Sequence, residues 1–218
     1  MAIVLKNSRF NLSIDSKTII GVMGKDYDKF LKSLNGDDVF YLDKKTIIIG
    51  KKVIDLLGNF DINVLEDFNL TKDFINKEIM DLSHSEQRLL KYILLVISDK
   101  KIIVIDEPFM DLDYENKKRI ILLLNRLKKN KTIIIGSIDS NIIYPICKKI
   151  LFINNNEYYY GDAIDFSNKD LLKKYHIAMP DLVKFVLLAN TKNKKIKYSK
   201  DIRDLIKDVY RNVSKKQN

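Results

Sequence analysis

The chain has 218 residues, with 39 lysines and arginines against 29 acidic residues, which gives a formal net charge of +10. This length predicts one main domain with room for an appendage. With 46% hydrophobic residues the chain can form a sizeable core, so the chain as a whole is not disordered. One cysteine and two histidines exclude a disulfide framework and a metal site built from several Cys or His residues. Because neither a membrane-spanning apolar run nor a signal-peptide pattern is present, the sequence predicts a cytosolic protein.

The positive charge raises the question of nucleic-acid binding. Lysines are spread along much of the chain, and only the C-terminal third is densely basic. The codons for the abundant Lys, Ile and Asn are rich in A and T, so genome composition accounts for much of the charge. We therefore expect no direct contact with nucleic acid.

Short apolar runs rich in isoleucine and valine recur along the chain, and runs of that length are typical of strands buried on both faces of a sheet. In chain order, strands are predicted at residues 18–21, 46–50, 102–106, 132–136 and 150–153, with a hairpin return strand at 157–161. Residues 85–96 and 115–127 have helical apolar spacing. The alternation predicts an α/β domain with a mainly parallel sheet and flanking helices.

The run at 102–106 ends in two adjacent carboxylates, Asp106 and Glu107, followed by Pro108. An aspartate at the tip of a buried strand can hold Mg²⁺, directly or through water. A second carboxylate beside it can orient or deprotonate an attacking water. The alternative is structural: the strand ends in solvent and Asp106 caps a turn.

A helix start precedes this strand. Ser83 or Ser85 is a suitable N-cap, and Glu86 lies in the first turn, where the helix dipole favours a negative charge. The structural alternative is a well-capped helix with no further role. Leu82 lies 24 residues before Asp106.

The ordered set LSHSEQ, IIVIDEP, MDLD and TIIIGSID resembles the nucleotide-binding subunit of ABC transporters, whose signature loop, Walker B motif, D-loop and switch histidine follow in this order. The resemblance implies a P-loop NTPase-like ABC ATPase fold. It also implies a catalytic carboxylate at Glu107, an Mg²⁺ ligand at Asp106 and a D-loop at Leu112 and Asp113. Its implied nucleotide contacts from the signature segment are Ser83, Ser85 and Glu86.

The family's phosphate-binding loop follows the first core strand, and here only Gly21 and Gly24 match it. The third glycine, the lysine, the Mg²⁺-binding hydroxyl and the threonine are replaced by Asp26, Tyr27, Asp28 and Lys29. A P-loop binds phosphate through backbone N–H groups, a helix N-terminus and a lysine, so carboxylates oppose it unless a metal intervenes. We expect an impaired site. If it binds ATP and Mg²⁺, the implied contacts are Gly21, Gly24, Lys25, Asp28 and Lys29, with Asp28 also a metal ligand.

Outside the phosphate-binding loop, other residues of the family's motifs are also missing or replaced. The switch histidine is replaced by Ile138, and no glutamine precedes Gln87, so the Q-loop glutamine is missing. His84 and Ser85 replace two signature glycines, which allow backbone N–H groups to approach a partner's phosphate closely.

The resemblance divides the chain into an ABC-type nucleotide-binding domain at 1–164 and a C-terminal helical region at 165–218. Residues 51–98 form a reduced helical subdomain with the signature loop. The tail resembles that of energy-coupling factor (ECF) transporter ATPases, in which it helps two ATPases pair. Asp181 is predicted to cap its second helix. The apolar stripe of that helix packs on its own chain or on a partner: Leu182, Val183, Phe185, Val186 and Ala189.

The function implied is that of an ATP-binding cassette subunit of an ABC/ECF-type transporter, coupling ATP binding and hydrolysis to substrate uptake. Its partners would be a second ABC ATPase subunit, identical or different, and a transmembrane subunit. The chain would lie in the cytoplasm on the inner face of the membrane. Two alternatives stay open: a competent ATPase in which Lys25 or Lys29 and Asp28 bind Mg²⁺-ATP, and a regulatory module unrelated to transport.

Overall fold

The computed structural model describes residues 2–6, 11–34, 36–45, 47–155, 157–192 and 196–214. Contacts divide the chain into two units. The first unit comprises Met1–Thr18 and Leu31–Ile134, and the second comprises Ile19–Phe30 and Ile135–Asn218.

Strands and helices alternate along most of the chain. The strands are β1 (Ala2–Lys6), β2 (Asn11–Asp15), β3 (Ile19–Met23), β4 (Val39–Leu42), β5 (Ile102–Asp106), β6 (Thr132–Gly136), β7 (Lys149–Asn154) and β8 (Glu157–Asp162). The α-helices are α1 (Tyr27–Ser33), α2 (Val53–Leu57), α3 (His84–Ile97), α4 (Tyr114–Leu127), α5 (Ser140–Ile146), α6 (Lys169–Lys174), α7 (Asp181–Thr191) and α8 (Ile202–Ser214). Short 3₁₀ helices lie at Ile62–Phe68, Lys72–Asn76, Ile79–Asp81 and Ala163–Ser167.

The first unit has the strand order β4-β5-β6, with β4 and β5 parallel, and a separate antiparallel pair of β1 and β2. The apolar run of β5 lies in the core, where Ile103, Val104 and Ile105 are fully buried. Helix α3 contributes an apolar face to the same core, including Leu90 and Ile93. A continuous apolar strand needs cover on both faces, which places the polar end of β5 at the edge of this core.

The second unit has the strand order β3-β7-β8, with β3 parallel and β8 antiparallel to β7. Every residue of β3 is buried. Phe152 of β7 packs its ring against Phe166 and Tyr175, with centroid separations of 5.3 and 6.0 Å. These contacts fix the end of β7, beside which the loop after β3 lies.

The structure confirms the predicted strands at 102–106 and 132–136, the helices near 85–96 and 115–127, and the hairpin return strand. The predicted strand at 46–50 is wrong. Residues 47–50 form no strand, Ile47 and Ile49 are 80% and 86% exposed, and Thr46 lies outside the described residues. The strand beside β5 is β4, and because it takes the pairing position, the isoleucine run after it has no strand to join.

The tail contains helices α6, α7 and α8, as expected of a helical region, but Asp181 is not the cap of α7. Pro180 occupies the N-cap position, and the backbone N–H of Asp181 donates to Asn141 Oδ1 at 2.8 Å. On α7, Val183 and Val186 are each 1% exposed, whereas Phe185 is 45% exposed. The stripe therefore has both a face packed on its own chain and an open one. No helix among the described residues is both long and apolar enough to span a membrane.

Candidate functional site

The acidic end of β5 is buried and ion-paired. Asp106 is 0% exposed, and the ammonium group of Lys44 in the loop after β4 lies 3.3 Å from Asp106 Oδ2. A buried carboxylate is costly unless an opposite charge or hydrogen bonds compensate it. Lys44 supplies that charge. Because Asp106 is fully buried, the alternative in which this strand ends in solvent is wrong.

The turn after Asp106 has an unusual backbone. Glu107 has φ +49, in the left-handed region that non-glycine residues rarely adopt. Arg88 Nη2 donates to the carbonyls of Asp106 at 3.1 Å and Glu107 at 2.5 Å, and the Tyr92 hydroxyl donates to the Pro108 carbonyl at 2.6 Å. Arg88 and Tyr92 lie one turn apart on α3 and so share a face. Two side chains of α3 therefore fix three consecutive carbonyls of the acidic turn.

The burial of the Arg88 side chain has an energetic cost. It is 2% exposed, and its Nε and Nη1 atoms make no hydrogen bond with the residues that the structure describes. Its guanidinium lies 5.7 Å from the centroid of the Tyr92 ring, a cation–π contact that offsets part of this cost. Burial raises the pKa of Tyr92 to about 12, which keeps its hydroxyl protonated as a donor.

The signature-like segment begins α3 through a capping box. Ser83 is the N-cap: its Oγ accepts from the Glu86 N–H at 3.2 Å and donates to Glu86 Oε2 at 2.9 Å. The Ser83 N–H also donates to Glu86 Oε2 at 3.0 Å, and Lys77 donates to Glu86 Oε1 at 2.6 Å. The Lys77 hydrogen bond is the main reason that the pKa of Glu86 is lowered. The cap is thus Ser83 rather than Ser85, while His84 is exposed and Ser85 is half-buried.

Two more motif segments end in helix caps. Leu112 is buried, and Asp113 caps α4 by accepting from the Asn116 N–H at 2.8 Å. In the second unit, Asp139 caps α5, and Ile138, at the position of the family's switch histidine, is 76% exposed. These aspartates fix helix starts, which is the role of an ordinary N-cap.

In the second unit, Gly21 and Gly24 are both required by packing. A Cβ on Gly21 would lie 2.2 Å from Ile143 Cγ2 and 3.0 Å from Cys147 Sγ. Gly24 has φ +113, and a Cβ there would lie 2.0 Å from the Ile153 carbonyl oxygen. Close approach of a strand to α5 and to the end of β7 explains both glycines without a ligand.

The loop after Gly24 is held by Asp26. Its Oδ1 accepts from Lys29 Nζ at 2.7 Å, and its Oδ2 accepts from the Asn155 N–H at 3.0 Å. The hydrogen bond from Lys29 is the main cause of the lowered pKa of Asp26. Tyr27 begins α1 and is buried, Asp28 is half-buried and Lys25 is exposed. The structure thus joins Lys29 to the carboxylate that replaces the third P-loop glycine.

Each unit brings together part of the predicted set. In the first, α3 links Ser83 and Glu86 to the turn of Asp106 and Glu107 through Arg88. In the second, Asp26 of the loop after β3 is joined to Lys29 of α1, next to Gly24. Sequence reasoning missed Lys44, Arg88 and Tyr92. For Arg88, a charge within an apolar helix face was an available signal, whereas no spacing rule links residue 44 to residue 106.

Mg²⁺ does not fit the acidic turn as it stands. The described residues hold no group of three or more His, Cys, Asp or Glu side chains placed to bind a metal ion. Lys44 already neutralises the carboxylate of Asp106, one of the two residues that the sequence assigned to the metal, the other being Asp28.

No family model matches the chain. It is 26% identical over 137 residues to the ECF transporter ATP-binding protein EcfA2 of Staphylococcus aureus, a match covering 61% of this chain and 48% of that protein. It is 28% identical over 125 residues to EcfA3 of Oenococcus oeni, covering 56% and 43%. It is also 30% identical over 115 residues to a Pyrococcus furiosus protein assigned as an ABC transporter ATP-binding protein, covering 52% and 44%.

The fold matches a solved chain from a transporter assigned to the metal-chelate ABC type, in an inward-facing conformation. The TM-score is 0.63 at 18% identity, over 77% of this chain and 80% of the other. The chain is similar to ABC transporter ATP-binding proteins, ECF proteins among them. The resemblance drawn from the motifs and the predicted fold class are therefore confirmed. The matches span a little under half the length of these curated relatives.

We expect Gly21→Ala to destabilise the second unit, because its methyl group would overlap Ile143. Overpacking of this kind costs about 1–3 kcal/mol. Gly36→Ala is the control, since a Cβ there meets nothing closer than Val39 Cγ2 at 3.8 Å. Urea unfolding of both variants measures the difference. Equal midpoints would contradict the packing role of Gly21.

We expect the stabilising effect of the Glu86 carboxylate to depend on pH. Because folding lowers the pKa of Glu86, its contribution is complete above the ordinary value of 4.5 and is lost as pH falls through the folded value. Glu86→Gln should therefore lower the urea midpoint at neutral pH and have a smaller effect in acid. Glu66→Gln, at an exposed glutamate, is the control; the same loss for Glu86→Gln at all pH values would refute this role for the charge.

Proposed function

We propose that this chain is an ATP-binding cassette subunit of an ABC transporter of the ECF type. It works paired with a second cassette beneath a transmembrane subunit, and ATP binding and hydrolysis in the pair drive substrate uptake. The observation that carries the proposal is the direct link, through α3, between a capped signature-like helix start and the acidic end of β5. The similarity to ABC and ECF transporter ATP-binding proteins supports it.

The phosphate loop of this chain is impaired in the proposal. Lys29, a cation that could reach a phosphate, is bound to Asp26 at 2.7 Å. Asp26 and Asp28 add negative charge to the loop, and Tyr27 is buried. Carboxylates close to a triphosphate raise its electrostatic energy. The match of Gly21 and Gly24 to the loop does not compensate, since packing accounts for both glycines. Lys25 is exposed, and its charge acts on the Asp26 carboxylate.

The signature-like segment acts on a nucleotide held by the partner cassette. Helix α3 has 14 residues, and its N-terminal amides and dipole favour an anion. The Ser83 hydroxyl is engaged with Glu86, so the exposed His84 and the half-buried Ser85 are the side chains placed to donate to a phosphate. The turn at Glu107 supports this surface. The Glu107 carboxylate would orient an attacking water only if this chain held a nucleotide of its own.

An exposed apolar surface fits the transmembrane subunit. Ile47, Ile49 and Met80 are 80%, 86% and 89% exposed. Their two segments are joined by hydrogen bonds from Ile79 N–H to the Lys51 carbonyl at 3.0 Å and from Val53 N–H to the Lys77 carbonyl at 3.1 Å. Exposed apolar groups on neighbouring hydrogen-bonded segments are typical of protein contacts. In the proposal, this surface binds a helix of the membrane subunit, and the chain lies at the inner face of the membrane.

The C-terminal helical region serves cassette pairing in the proposal. Val186, Ile196 and Leu205 form a small core between α7 and α8, and Asn190 fixes Ile196 through hydrogen bonds of 3.0 and 2.7 Å. Phe185 and Leu188 lie at a groove of about 300 Å³ beside this core and are 45% and 58% exposed. An ordered layer with an open apolar groove suits a second cassette.

Affinity purification of the full chain from its own cells tests this function. We expect a second cassette with an intact P-loop and a transmembrane subunit to be recovered together with it. Ile49→Ser combined with Met80→Ser should lose the transmembrane subunit and keep the cassette. Phe185→Ser combined with Leu188→Ser should weaken recovery of the cassette.

Leu122→Ser is the matched control, because Leu122 is 65% exposed on α4 and belongs to neither proposed surface. It should recover both partners in full. Recovery of neither a cassette nor a membrane subunit with the unmodified chain would overturn the proposed function.

A further inference from the structure

Lys44 has a position that no motif predicts. Its side chain is 29% exposed, yet its ammonium group reaches the fully buried carboxylate of Asp106 at 3.3 Å. The residue next to it, Lys45, is exposed. The chain therefore brings one specific lysine from the loop after β4 to the end of β5.

The two strands explain how this contact forms. β4 and β5 are parallel neighbours, with Leu42 opposite Ile105. Parallel strands end at the same edge of a sheet, so residues just beyond β4 lie beside the last residue of β5. Lys44 is two residues past the end of β4, within reach of Asp106.

A divalent cation would meet an already compensated carboxylate at this position. The ammonium of Lys44 carries the charge that balances Asp106, and the guanidinium of Arg88 lies at the main-chain carbonyl of the same residue. An additional cation would be repelled by both groups and would have to displace Lys44 to coordinate the carboxylate.

We infer that Lys44 is a tethered cation that neutralises Asp106 in place of a divalent metal ion. The acidic turn then keeps its geometry at any Mg²⁺ concentration. The inference needs neither a nucleotide nor a partner, so its failure would leave the proposed function standing, and the reverse also holds.

Unfolding in metal-free buffer at neutral pH gives the first test. Lys44→Met leaves the buried Asp106 carboxylate without this partner, so its urea midpoint should fall several times further than that of Lys45→Met, the matched control. Adding Asp106→Asn to Lys44→Met should recover most of the loss, because no charge then remains to be compensated. A midpoint for Lys44→Met equal to that of Lys45→Met would overturn the inference.

Mn²⁺ titration followed by electron paramagnetic resonance gives a second test, which does not depend on the stability of the lysine variant. The unmodified chain should show no Mn²⁺ site that Asp106→Asn removes. Lys44→Met should gain such a site, and the double variant with Asp106→Asn should lose it again. A Mn²⁺ site in the unmodified chain that Asp106→Asn abolishes would overturn the inference.

Discussion

The first unit depends on how the buried acidic turn at the end of β5 is held. Its carboxylate faces Lys44, and its carbonyls accept hydrogen bonds from Arg88 and Tyr92. A buried charge without these partners would be strongly unfavourable. Both donors to the carbonyls come from α3, the helix that begins at the Ser83 cap. Their hydrogen bonds therefore connect this helix directly to the turn that leads to Leu112 and Asp113.

The residues that the sequence predicted and those that it missed differ in how far away their partners lie along the chain. Ser83 was predicted as a candidate cap and β5 as a strand because cap preference and a continuous apolar run are local properties. Lys44 and Arg88 were missed because their partners lie far away in the sequence and only strand pairing and helix packing bring them together. The error at residues 46–50 has a related cause, since β-branched composition does not decide which segment pairs with β5. The order of the motifs predicted the fold class, but the ion pair between Lys44 and Asp106 could not be predicted from it.

Packing explains the two glycines that match the phosphate-binding pattern. Gly21 and Gly24 match the phosphate-binding pattern, yet each is explained by an atom that a Cβ would strike. Their presence therefore says nothing about phosphate. Asp26 and Lys29 are more informative, because a carboxylate that binds a lysine and the Asn155 amide ties the loop to its own unit. These contacts support the proposal that the signature-like segment of this chain acts on a nucleotide held by a partner cassette.

Calorimetric titration of the purified chain with Mg²⁺-ATP tests that central claim most directly. We expect no saturable binding in the micromolar range for the unmodified chain, and the same result for Lys25→Met and Lys29→Met. Micromolar binding that either lysine substitution abolishes would contradict it, and would make this chain a nucleotide-binding cassette with a non-standard phosphate loop.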